Sequence, residues 1–155
     1  MSTSNYKSIA NKIKFEGRAF INGKYVDAID GNKFKTINPA TGDTLCEVAK
    51  CNIKDVDLAV EVSRKAFNSG VWSRTSPEFR KDILLKFAEL LRLHGEENSV
   101  LECLDTGKLI VDCINEVAND APMHFQWYGE LIDKVFGKVG PTEPSLTSLI
   151  VKEPI

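Results

Sequence analysis

A chain of 155 residues with 43% apolar and 27% charged side chains has the makeup of one soluble globular domain, neither disordered nor fibrous. The formal charge of -2 leaves no basic footprint, and lysines and arginines interleave with acids, which argues against nucleic acid as a partner. The longest apolar runs, such as 83–85 and 148–151, fall far short of the ~20 residues that span a bilayer, so no membrane partner is expected. Residues 1–10 are polar with scattered lysine and match neither a secretory signal nor a transit peptide, so the cytoplasm is the expected compartment. Cys46, Cys51, Cys103 and Cys113 are too few and too irregular for a disulfide scaffold, and reduced thiols are expected.

The first third reads as β structure. Asn22-Gly23 stands between apolar residues, the pair a type I′ turn needs because both central positions take positive φ, which predicts a hairpin over 20–26. A second extended stretch over 33–37 meets Asn38-Pro39, where proline holds its predecessor out of the helical region. Thr41-Gly42-Asp43 then turns the chain back into a strand over 44–49.

From Asn52 the apolar period lengthens to that of a helix. Val56, Ala59, Val60, Ser63, Ala66 and Phe67 share a face, Asn52 caps the start and Gly70 follows the end. Ser76-Pro77-Glu78 opens a second helix, with Ile83, Leu84, Phe87, Ala88 and Leu91 on its buried face and a stop near His94-Gly95. A third runs over about 96–105 and ends at Thr106-Gly107. A longer helical stretch over about 110–136 contains Pro122, which kinks it or marks its true start after Asp120, and Gly137 closes it. Two strands, 138–139 and 148–152, complete an α+β pattern of N-terminal hairpins, four helices and two C-terminal strands.

Sites legible in single residues are few. A free cysteine is most simply a small apolar core residue, and neither histidine lies near one in sequence. His94 and His124 show no ligand spacing with the cysteines. No dinucleotide glycine fingerprint, phosphate loop or hydrolase elbow occurs. Taken alone, Asp105-Thr106-Gly107-Lys108 reads as a helix stop followed by a solvated lysine. The aromatic group Phe125, Trp127, Tyr128 and Phe136 reads as core or subunit interface at helical spacing.

Read together, the phrases FINGKYV, INPATGDTLCEVA, DVDLAVEVSRKAF, LECLDTGK, WYGELIDKVFGKV and VKEPI, in that order, resemble the N-terminal part of the NAD(P)-dependent aldehyde dehydrogenase superfamily. FNSGVWSRTSPEFRK with WYGELIDKVFGKV resembles the gamma-glutamyl-gamma-aminobutyraldehyde dehydrogenases of putrescine breakdown. The resemblance implies part of an α/β Rossmann-like subunit. Residues 1–18 would be an N-terminal extension, 19–137 a partial cofactor-binding domain, and 138–155 the start of strands that build homo-oligomers.

The family's chemistry needs a thiolate nucleophile, oxyanion donors, a hydride acceptor and a carboxylate to activate water. In the family these arrive after a P-W-N segment that would follow Ile155, so the resemblance assigns no catalytic or cofactor-binding residue to this chain. NAD or NADP is implied for the parent enzyme and no cofactor for the chain alone, which is expected to be an inactive, truncated dehydrogenase. The one site carried over is structural. Asp105, with the backbone around Thr36 and Ile37, resembles a monovalent cation site whose remaining ligand would lie downstream. Leu109 stands where the family has proline, a departure expected to touch only the loop after Lys108. The helices are also expected to expose apolar faces, because the parallel sheet they would cover is absent. The rival readings are a non-catalytic interaction module that pairs with full-length dehydrogenase subunits, and an unrelated helical binding protein.

Overall fold

The computed structural model describes residues 3–154, so Met1, Ser2 and Ile155, which belong to the expected terminal segments, lie outside it. Strands β1 (Ala19–Ile21) and β2 (Lys24–Val26) pair antiparallel, with Ile21 opposite Lys24. Asn22 and Gly23 sit between them at φ 54° and 73°, the two positive values a type I′ turn requires. Strands β3 (Lys33–Ile37) and β4 (Thr44–Ala49) form the second hairpin, whose register shifts between Thr36 and Ile37. The Asn38 carboxamide accepts from the Ala40 amide at 2.9 Å and the Asn38 carbonyl from Gly42 at 2.8 Å, which fixes the connecting loop.

Helix α2 (Ile53–Ser69) starts from a capping box deeper than the sequence suggested. The Asn52 side chain accepts from Lys54 N, and the buried Asp55 carboxylate returns to Asn52 N at 2.8 Å. The second Asp55 oxygen accepts from Ile29 N at 2.9 Å, so one carboxylate ties the β2–β3 connection to the start of the helix. Helix α3 (Pro77–Leu93) is capped by the Ser76 hydroxyl, which accepts from Phe79 N, and α4 (Gly95–Thr106) follows after His94.

The long helical stretch resolves into α5 (Ile110–Cys113), a π-helical segment (Ile114–Asp120) and α6 (Ala121–Leu131). Pro122 stands two residues into α6 within a continuous helical run, where it offers no backbone donor. Immediately before it, Ala121 N donates to Glu116 O five residues back, so the wide turn carries the chain past proline without a break. The stretch ends at Leu131 and not at Phe136. Ile132 and Lys134 donate to the carbonyls three residues back, tightening the chain out of α geometry. Gly137 serves the last hairpin instead: a Cβ there would lie 2.5 Å from the Ile150 carbonyl oxygen. That hairpin is β5 (Lys138–Gly140) with β6 (Ser148–Ile150).

One helix was not foreseen: α1 (Thr3–Ala10), which packs on α4. Its side chains are mostly polar, but Tyr6, Ile9, Ala10 and the following Ile13 are half-buried at helical spacing.

The principal packing is α3 on α6, where Gly129 lets the helices close to within 3.1 Å between Leu84 Cβ and the position a Gly129 Cβ would take. Phe87 and Phe125 meet edge to face across it at 4.7 Å, and Lys81 bonds Asp133 at 2.8 Å. Among the described residues the buried apolar set is small: Ala28, Ala49, Ala88, Val100 and Cys113. Accessible surface totals 11679 Å². A compact chain of 17.2 kDa presents roughly 7,800 Å², so about half as much again lies open.

Replacing Asp55 with alanine leaves two backbone amides, Ile29 and Asn52, without their acceptors at once. It is expected to cost roughly 1–3 kcal/mol, seen as lost amide-exchange protection at Ile29, Asn52 and the first turn of α2 while α3 and α6 keep theirs. Lys134 first, then Lys81, holds the Asp133 carboxyl down at about 2. A depressed carboxyl contributes stability above its ordinary value near 3.8 and loses it as pH falls toward 2. Protection across α3 and α6 should therefore fall in that acid window, and Lys81→Met should flatten the fall.

Candidate functional site

The β3–β4 hairpin and the stretch 101–108 meet in space. Thr36 Oγ1 donates to Asp105 Oδ1 at 2.8 Å, across 69 residues of sequence. Gly107 ends α4 at φ 74°, and a Cβ at that position would lie 2.7 Å from Pro39 Cγ. Glycine is needed there twice over, for the left-handed backbone and for contact with the proline of the opposite loop. Lys108 is solvated as expected, with its side chain 44% exposed, but it is also paired. Its ammonium reaches Glu116 at 2.6 Å and Glu102 at 3.7 Å, joining α4 to the π-helical segment, and Glu116 pushes its pKa up.

β3, β4 and α4 enclose an open cavity of about 800 Å³ beside this junction. Phe15, Phe34, Val48, Leu101 and Val117 form its apolar wall, while Lys14, Glu16, Thr36, Cys46, Glu102 and Asp105 supply polar atoms. Its three carboxylates are already engaged: Glu16 pairs with Arg18 at 2.6 Å, Glu102 lies 3.7 Å from the Lys108 ammonium, and Asp105 accepts from Thr36. The structure brings Asp105 and Thr36 together. Ile37 follows at the register shift and is not part of the cavity wall. Among the described residues no three histidine, cysteine or acidic side chains are grouped to hold a metal ion.

The cysteines occupy different settings. Burial, then Asp105 and Glu16, pushes the Cys46 thiol up, and burial first of all pushes up Cys113, whose side chain is fully enclosed. A raised thiol holds less thiolate, the opposite of nucleophile activation. Cys103 Sγ donates to the Lys108 carbonyl, and Cys51 is exposed. His94 faces Glu97 and His124 bonds the Asp120 carbonyl, each beside or along its own helix. The aromatic group is not core. Trp127, Tyr128 and Phe136 are 61%, 62% and 81% exposed, and of the four only Phe125 enters the α3–α6 contact described above.

Leu109 adopts φ -62° and ψ 136° ahead of α5, the backbone proline is locked into. Its difference from the family pattern therefore leaves the loop geometry as proline would have it.

The arrangement is α+β: three antiparallel hairpins, the first two tied to the helical layer through Asp55 and Asp105, with large apolar side chains left exposed on the helices. Residues 25–155 match the model of the aldehyde dehydrogenase family. The chain is 39% identical over 155 residues to the aminoacetaldehyde dehydrogenase of Pseudomonas aeruginosa, covering 100% of this chain and 31% of that protein. Against the NADP/NAD-dependent aldehyde dehydrogenase PuuC of Escherichia coli it is 39% identical over 146 residues, covering 94% and 30%. The crystal structure of gamma-glutamyl-gamma-aminobutyraldehyde dehydrogenase from Burkholderia cenocepacia superposes with a TM-score of 0.92 at 40% identity, over 96% of this chain and 30% of that one. The chain belongs to the aldehyde dehydrogenase family and spans about three-tenths of the length of these relatives.

The junction makes a paired prediction. Gly107→Ala should destabilise by more than ~1 kcal/mol and detach the 38–42 loop, whereas Leu109→Pro should be neutral or stabilise by about 0.4–1 kcal/mol. Urea unfolding of the two variants beside the parent chain checks both signs.

Proposed function

We propose that this chain is the N-terminal part of an NAD(P)-dependent aldehyde dehydrogenase that oxidises an aminoaldehyde, of the gamma-glutamyl-gamma-aminobutyraldehyde kind, to its carboxylate. The observation that supports it best is the match of nearly the whole chain, at 39–40% identity, to about three-tenths of relatives named for aminoaldehydes. In this reading 1–18 is an extension, 19–137 the outer hairpins and helices of a cofactor-binding domain, and 138–155 the start of the strands through which subunits associate in the cytoplasm. The bound nicotinamide cofactor would accept the hydride. What this chain supplies is the scaffold that holds the cofactor domain in shape, and Asp105 with the Thr36 and Ile37 backbone would hold a monovalent cation that stiffens the β3–α4 junction. By itself the chain turns over no aldehyde.

The bare β5–β6 hairpin supports a second reading, in which the chain acts without chemistry by adding its terminal strands to a full-length dehydrogenase subunit.

The test is a graft. Residues 1–155 replace the matched segment of the Pseudomonas aeruginosa aminoacetaldehyde dehydrogenase, and formation of reduced nicotinamide with aminoacetaldehyde is followed. The graft is expected to retain NAD(P)-linked oxidation, while the 155-residue chain alone gives none. A soluble, folded graft without activity, or turnover by the chain alone, would overturn the reading.

A further inference from the structure

Residues 3–18 meet the rest of the chain at two separate places. At one end Tyr6, Ile9 and Ala10 of α1, with the following Ile13, are half-buried where α1 packs on α4, and Tyr6 lies beside Gly95 and Ala118. At the other end residues 16–18 are fixed to the hairpins. The Gly17 carbonyl accepts from Ala49 N at 2.7 Å, and a Cβ at Gly17 would overlap the Glu47 carbonyl oxygen, so glycine alone lets the chain lie this close to β4. Glu16 accepts from the Arg18 guanidinium at 2.8 and 2.6 Å, and that guanidinium stands 5.5 Å over the Tyr25 ring of β2.

Between these attachments the chain runs past the cavity of about 800 Å³ beside the Thr36–Asp105 junction. Lys14, Phe15 and Glu16 supply part of its wall, and Cys46 and Leu101 belong to the remainder. The cavity is therefore complete only while residues 3–18 are docked. Its two attachments are unequal. The one at 16–18 combines a backbone fit, charge-assisted hydrogen bonds and a cation–π contact. The one at α1 rests on a few half-buried side chains of an eight-residue helix. Isolated helices shorter than ~12–15 residues are marginal in water, so α1 has little helicity of its own to offset the entropy of ordering it.

We infer that residues 3–18 form a hinged strap, which pivots at Glu16–Arg18 while α1 leaves and rejoins α4, and that the cavity between β4 and α4 is assembled only in the docked state. The inference stands on contacts within this chain and is independent of the dehydrogenase reading. It carries a linkage: a molecule held against Phe15 favours the docked strap, and the docked fraction scales the affinity of the chain for that molecule.

Cys46 reports the strap's position, because it is half-buried on the cavity wall and β4 itself does not move. The 155-residue chain is treated with iodoacetamide, alkylation of Cys46 is followed by peptide mass spectrometry, and amide exchange is read in parallel. Tyr6→Ala with Ile9→Ala should raise the alkylation rate about fivefold or more, while the Ala49 amide bonded to Gly17 and the amides of α3 and α6 keep their protection, as an opening confined to the strap requires. Gly17→Ala should raise the same rate and also release the Ala49 amide, since it frees the hinge. Should Gly17→Ala fail to fold, the Tyr6 and Ile9 variant decides the matter alone. A Cys46 rate unmoved by that variant would overturn the proposal, and so would loss of Ala49, α3 and α6 protection together with α1, which would make the opening one of the whole fold.

Discussion

A core built from small side chains sets the terms for the whole molecule. Ala28, Ala49, Ala88, Val100 and Cys113 are buried, while phenylalanines, tryptophans and leucines on the helices remain open. Burial of apolar area contributes about 25 cal/mol per Å² and must offset the entropy of ordering every residue, so a chain that leaves its large side chains in water gains little net stability from packing. The elements are held in place instead by a set of local polar devices: the Asp55 clamp, the Ser76 cap, the Thr36–Asp105 bond and the lysine bridges from Lys81 and Lys108. These fix direction and register, and they leave the free energy of the large faces available for whatever covers them.

That division explains which parts of the structure were readable in the residues. Turns and caps depend on chemistry within a few positions, so Asn22-Gly23, Asn52, Ser76-Pro77 and Gly107 gave hairpin and helix boundaries close to those observed. The termini of the helical layer were harder. α1 announces itself only through Tyr6, Ile9, Ala10 and Ile13 among polar neighbours, a spacing that matters once α4 is there to receive it. Gly137 looked like a helix stop because glycine often is one, whereas its actual constraint, the Ile150 carbonyl, comes from the partner strand of the last hairpin.

The site shows the same limit. Asp105 and Thr36 were paired only by family resemblance, and no periodicity in the chain would have joined positions 36 and 105. In the fold, the left-handed turn at Gly107 leaves room for Pro39 beside it, and Thr36 donates to Asp105 at the same junction. Lys108 shows the converse. Its bridge to Glu116 joins it to the π-helical segment, and nothing in a short motif reports a partner further along the chain.

The π-helical segment has one more consequence, for how this chain can vary in length. A π turn holds one residue more than the α turn it replaces, so it acts as a stored insertion between Cys113 and Ala121. Loss of a single residue within 114–120 would let the wide turn close to α geometry while α6 keeps its phase, so Gly129 would stay against Leu84. Loss of one residue from the regular turns of α6 ahead of Gly129 would instead rotate that glycine by about 100°, away from Leu84. The π-helical segment is thus the place in the helical layer where the chain can shorten by one residue without unseating its chief contact.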